Sequence, residues 1–175
     1  MSSASSQPGS PATTSPAELL FADFAAEHAA TRRMLERYPD GKGQWRPDPK
    51  SRQLSALATH VAGIVTRGTM ILETEGVDVA SRPPAPTFDS ARELLAYFDE
   101  NVSKLSAALD KADYASLAKP WAMRRGDQVL IERPRRQLLR TVMMSHLVHH
   151  RAQLGVYYRL LGLPVPGMYG PSADD

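Results

Sequence analysis

Ser145 to Leu154 reads S-H-L-V-H-H-R-A-Q-L. On a helix, His146 and His150 stand one turn apart and about 40° from each other around the axis, with Gln153 and Tyr157 on the turns that follow. Two imidazoles so spaced can each direct a ring nitrogen at one divalent ion, which then needs a further ligand from elsewhere in the chain. Leu147 stands where an H-E-x-x-H motif carries its general base, so the pattern is not that of a zincin. By themselves the two histidines fit a metal-free reading equally well, as core or surface side chains.

The rest of the composition narrows the chemistry. There is no cysteine, which removes disulfides, thiolate ligands and a cysteine nucleophile and leaves His, Asp and Glu as metal ligands. A chain of 175 residues, 42% hydrophobic, suits one domain with a sizeable core. The net charge of +2 does not call for a nucleic-acid partner. Arg124, Arg125, Arg133, Arg135, Arg136 and Arg140 do cluster, and are read as the solvated start of the last helix, with Asp127 and Glu132 as partial partners. Arg125-Gly126-Asp127 is read as a turn. The first sixteen residues have neither a basic start nor an apolar run, and no later segment is apolar for long enough to span a bilayer, so the expected location is the cytoplasm.

The positioning elements follow from periodicity. Residues 1–16, rich in Ser, Pro, Thr and Ala, read as a disordered tail, and 17–175 as the folded domain. A helix is expected from Ala17 to about Tyr38, with Leu20, Phe24, His28, Thr31 and Leu35 on one stripe. His28 is then a core histidine or part of a pocket wall. A second helix runs from about Ser51 to Glu75, with His60 at the edge of its apolar stripe, where a helix face turns from core toward a cleft. Gly76 to Thr87, with Pro83, Pro84 and Pro86, is an irregular connector long enough to let the next helix cross the domain. Asp89 or Ser90 caps a third helix with the stripe Ala91, Leu94, Phe98, Val102, Leu105 and Leu109. Trp121–Met123 and Gln128–Ile131 can form a small hairpin around the Gly126 turn.

Pro134 suits the first turn of a last helix reaching Leu161. On it Leu139, Val142, Met143, His146, His150, Gln153, Leu154, Tyr157 and Leu161 share one side, with His149 at the margin and Arg151 pointing away. The two histidines then sit near the middle of a buried face, a costly place for ionisable rings unless each finds a partner, and one metal ion serves both. Four amphipathic helices define an all-α four-helix bundle. His60 on the second helix could meet His146 and His150 on the fourth, and three His ligands leave a fourth position open, as catalytic sites do.

The chain resembles the DinB family, also described as DinB/YfiT-like metalloenzymes. The resemblance rests on W-R-P at Trp45 to Pro47, L-A-T-H at Leu57 to His60 and H-L-V-H-H-R-A-Q-L at His146 to Leu154. It continues through Y-Y-R-L-L-G-L-P-V-P at Tyr157 to Pro166 and Y-G-P-S-A-D at Tyr169 to Asp174. Ala152 stands where the family commonly has Gly. The resemblance implies an up-down-down-up bundle with a long crossover between its second and third helices. It implies a divalent ion, typically nickel or zinc, on His60, His146 and His150, and a homodimer. It also implies chemistry on low-molecular-weight thiols such as mycothiol or bacillithiol. The expected function is a metal-dependent thiol S-transferase or isomerase, with Gln153 orienting a ligand and Tyr157 or His28 lining the pocket. A metal-dependent hydrolase and a non-catalytic metal-binding or stress-response module are the alternatives.

Overall fold

The computed structural model describes Pro16 and residues 20–174. Apart from Pro16, the expected tail and the first turn of the expected first helix lie outside the described residues. Helices α1 (Phe24–Leu35), α2 (Leu54–Gly63) and α3 (Thr66–Glu73) come first, then strand β1 (Gly76–Asp78) and a 3-10 turn at Val79–Ser81. They are followed by α4 (Ala91–Asp110), α5 (Tyr114–Ala118), β2 (Pro120–Arg125) and β3 (Gln128–Pro134). The last stretch is α6 (Arg135–Leu138), a π-helical segment at Leu139–Ser145 and α7 (His146–Leu160). None of the described helices is long and apolar enough to cross a membrane.

The all-α expectation needs correcting. The chain is mostly helical, but the strands form a sheet in the order β1-β2-β3. The expected hairpin is present and longer than expected, with β2 antiparallel to β3 and Gly126, at φ +55°, carrying the turn. What periodicity misses is β1, which pairs in parallel with Ala122–Arg124 from within the stretch read as an irregular connector. Three residues are too few to show an alternation. Gly76 begins it because a Cβ there would come 2.7 Å from the Ala122 carbonyl oxygen.

The expected second helix is two helices. Around Ile64–Val65 the backbone closes i to i+3 bonds, Arg67 N–H to the Ile64 carbonyl and Gly68 N–H to the Val65 carbonyl, both 3.0 Å, and this tight turn separates α2 from α3. The third helix is capped by Ser90, whose hydroxyl accepts from Glu93 N–H at 3.3 Å and donates to Glu93 Oε2 at 2.6 Å. Helices α1, α2 and α7 pack on one another, and α4 lies against α1, α2 and α3. The core between them is built from Leu54, Leu57, Val61, Leu94, Phe98, Leu105, Leu147, Leu154 and Tyr158.

The last helix differs from its expected form in a way that matters to the site. Its buried residues step Leu139, Met143, Leu147, Arg151, Leu154, Tyr158. Steps of four drift by about 40° each on a regular α-helix. The π turn at Leu139–Ser145 takes more residues per turn and absorbs that drift, so the stripe stays on the core. Arg151, expected to point away, is therefore 2% exposed at the centre of the buried face, while His146 and His150 sit half-buried at its margin. Arg151 is fully partnered. Its Nη2 lies 2.6 Å from Glu27 Oε2 and donates to Tyr169 Oη at 2.6 Å, and its Nη1 donates to the Glu27 carbonyl at 3.0 Å and Thr31 Oγ1 at 3.1 Å. The arginine cluster before this helix is dispersed in its contacts. Arg135 is buried, donating to the Leu72 and Thr74 carbonyls and to Glu75, and Arg140 pairs with Asp23.

His28 is a core residue and does not line the pocket. Its ring packs edge-on against Phe24 at 4.1 Å and Phe98 at 6.0 Å, and burial pushes its pKa down to about 4. Folding therefore requires the neutral ring. Above pH 6.5 the contribution is fully present; as the pH falls from 6.5 toward 4 the unfolded chain takes up a proton that the folded chain refuses, and stability drops. The expected slope from this group is about 1.4 kcal/mol per pH unit in that window. Denaturant melts from pH 7 to 4 should show a shallower decline in His28→Phe than in the parent chain; parallel curves would remove His28 as a cause.

Candidate metal centre

His60 comes from the last turn of α2 and His146 and His150 from the first two turns of α7. The break at Ile64–Val65 follows His60 directly, and the π turn at Leu139–Ser145 leads into the two α7 histidines. The three rings converge, with centroids 5.2 Å apart for His60 and His146, 4.5 Å for His60 and His150, and 4.6 Å for His146 and His150. One ring nitrogen from each lies within 4.8 Å of the others, the only such three-residue group of metal-ligating side chains among the described residues.

The nearest pair tests the fit. His60 Nε2 and His146 Nε2 are 3.2 Å apart. A tetrahedral ion holding two imidazole nitrogens sets them about 3.3 Å apart, so this separation already suits two ligands of one ion. Protonation suits it too. Burial, then the neighbouring charges of His150 and Arg52, push His60 down to about 3, and burial with Arg67 pushes His146 to about 4. Burial also lowers His150, against the hydrogen bond that its ring donates to Gln153. All three rings are neutral at pH 7 and present lone pairs.

Their hydrogen bonds settle which nitrogen faces inward. His150 Nδ1 lies 2.7 Å from Gln153 Oε1, which can only accept, so the proton is on Nδ1 and Nε2 is free for an ion. At His146, Arg67 Nη1 lies 2.7 Å from Nδ1. A guanidinium only donates, so in this arrangement Nδ1 accepts and the His146 proton sits on Nε2, directed at His60. Ligation through Nε2 needs the proton on Nδ1 instead. That tautomer releases Arg67.

Two hollows meet at the rings. One is bounded by His60, Arg52, Arg67 and the proline-rich link, the other by His146, His149, His150 and the apolar side chains Met123, Leu130 and Ile131. Neither has a carboxylate in its lining. Tyr157 stands beside His150 and Gln153, its hydroxyl donating to the Arg52 carbonyl at 3.1 Å and its ring edge-on to Trp45 at 5.5 Å. His149 is exposed, its ring 4.8 Å from that of His150. The residue that sequence reasoning misses is Arg67. It stands seven residues after His60, two helical turns on, a spacing visible in the sequence but without force until His146 is placed opposite.

The class this defines is a mainly helical domain with a three-histidine cluster open to solvent on two sides. The DinB family model matches residues 10–175, and the chain belongs to the DinB family. Among solved structures it is similar to a DinB-like protein from Bacillus cereus ATCC 10987, with 23% identity, a TM-score of 0.66, and 87% of this chain and 97% of that one covered. It is also similar to a DinB-like protein from Bacillus subtilis, with 17% identity, a TM-score of 0.67, and 88% and 99% covered. At these identities the likeness is one of fold. No curated protein matches the chain.

Proposed function

We propose that the chain is a metal-dependent enzyme of the thiol S-transferase or isomerase type, with nickel or zinc held by His60, His146 and His150. The observation that carries this is the convergence of three neutral imidazoles from two helices on one point, with space left for a further ligand. When bound, the ion supplies a Lewis acid that lets a thiol or water lose its proton near neutral pH. The protein's own groups do the rest. Gln153 holds the His150 ring through its Nδ1–H, Arg67, released from His146 Nδ1 when that ring ligates, is a cation beside the reacting position, and Met123, Leu130 and Ile131 give one side an apolar wall.

A thiol is favoured over water because neither hollow lined by the histidines contains a carboxylate to serve as general base for hydrolysis. A thiol, being far more acidic than water, needs no such base. The reading also takes the helical stretches 24–35, 54–73, 91–110 and 135–160 as an up-down-down-up bundle, supported by the packing of α1 and α2 against both α4 and α7. It takes the chain as a homodimer, supported by Val156 and Leu160, both exposed on the outer side of α7.

The test is turnover of electrophilic substrates by the nickel- or zinc-loaded protein with and without a low-molecular-weight thiol. Product that forms only with thiol, and disappears in His60→Ala, is expected. Ester or amide cleavage at the same rate without thiol would overturn the transferase reading in favour of the hydrolase. A chain that holds no divalent ion would leave a non-catalytic module.

A further inference from the structure

The hollow beside His60 encloses about 770 Å³ and has three arginines in its lining, Arg52 from the segment before α2, Arg67 from α3 and Arg82 from the proline-rich link. Its remaining lining is apolar or neutral, Tyr97 and Pro83 included. Among the described residues none of the three guanidiniums pairs with a carboxylate; Arg67 touches only His146, and Arg52 and Arg82 make no side-chain hydrogen bond. The nearest acid along the link, Asp78, is committed elsewhere, accepting from Ala80 N–H at 2.9 Å and Gly126 N–H at 3.2 Å. The three cations sense one another. Arg67 is held below its ordinary pKa by burial and then by Arg82 and Arg52, and Arg52 and Arg67 both act on His60 and His150. Like charges gathered without counter-charge in a concave, partly buried place raise the free energy of the folded chain unless an anion completes the site.

We infer that this hollow is the binding site for a small polyanion, a molecule with two or three carboxylate or phosphoryl charges, held by Arg52, Arg67 and Arg82 next to the histidine cluster. Guanidiniums are suited to it because each offers a planar fork to a carboxylate or phosphate. The link Arg82–Pro86 supports one wall, its prolines restricting the backbone that carries Arg82. Deepening the enzymatic reading, this makes the substrate or its thiol partner an organic acid whose charged end lies on the His60 side. The apolar part then falls toward Met123 and Leu130 on the other side.

The test measures binding without requiring turnover or metal. Full-length protein as purified is titrated calorimetrically with succinate, tricarballylate and inorganic phosphate, against sodium chloride at matched ionic strength. The same titrations are made on His60→Ala and on the double variant Arg52→Gln with Arg82→Gln. Both arginines are exposed and lack side-chain partners, so the double variant keeps its fold, checked by circular dichroism. Saturable binding of one or more anions is expected, weakened at least about tenfold in the double variant through loss of two charge-assisted contacts. The better of tricarballylate and phosphate identifies the head group. Binding retained in His60→Ala with the metal lost would separate the two readings, upholding this one whatever the fate of the other. Heats no larger than with chloride, or equal affinity in the double variant, would overturn it, even if the metal stoichiometry held.

Discussion

Replacing Arg151 with alanine should cost the folded chain about 3–5 kcal/mol, because a buried charge is left without its partner. The guanidinium is 2% exposed and the Glu27 side chain 11%, so water reaches neither well. Four hydrogen-bonding groups depend on Arg151: the Glu27 carboxylate, the Glu27 carbonyl, Thr31 Oγ1 and Tyr169 Oη. Tyr169 donates in turn to Glu27, at 2.9 Å and 3.0 Å to its two oxygens, so the charge relation ties α1, α7 and the C-terminal segment into one unit. Removing both charges is a different experiment. Arg151→Met with Glu27→Leu substitutes apolar volume for the pair and should recover a large part of the loss, since the pair's own desolvation offsets much of its attraction. Urea denaturation of the parent chain, Arg151→Ala and the double variant is the measurement. A loss under about 1 kcal/mol in Arg151→Ala would mean that the pair behaves as a surface contact.

The second large effect is on metal retention. The purified chain should carry about one divalent ion, and His60→Ala, His146→Ala and His150→Ala should each lower affinity by more than the roughly 100-fold that loss of an outer hydrogen-bond partner brings. Gln153→Leu, which removes the acceptor of the His150 Nδ1 proton, falls within that outer range of about 10- to 100-fold. His149→Ala is the internal control: its ring is exposed and outside the converging group, so stoichiometry should not change. Elemental analysis combined with chelator competition reads all five variants. Full stoichiometry in folded His150→Ala would dismiss the assignment.

Much of the fold and of the centre is legible in the sequence, and what is not has specific physical causes. The third helix can be read from its start because Ser90 caps it and its apolar stripe has no competing signal. The pairing of His146 with His150 follows from one helix face, since an i, i+4 pair needs only local geometry. The approach of His60 depends instead on the packing of α2 against α7, which local pattern only allows and the family resemblance implies. The face that periodicity assigns to that pair is the wrong one. A 3.6-residue stripe drawn through Leu139 and Leu154 takes in His146 and His150 and leaves out Arg151, and only the π turn moves the buried line across to Leu147 and Arg151. Nothing in a single sequence marks a π turn. Likewise, β1 owes its existence to a partner almost fifty residues away, an interaction to which local pattern is blind. Arg52, Arg67 and Arg82 carry no joint signal in the sequence because each is ordinary on its own segment and only the fold gathers them.

The π segment makes the centre depend on arithmetic as well as chemistry. Winding Leu139–Ser145 as an ordinary helix with no residue removed would turn everything after it by about 100°. His146 and His150 would keep their spacing and their helix, yet swing away from His60, while Arg151 would leave Glu27. One residue taken up in a wide turn thus separates this three-histidine arrangement from a helical domain that contains all three rings and assembles none of them.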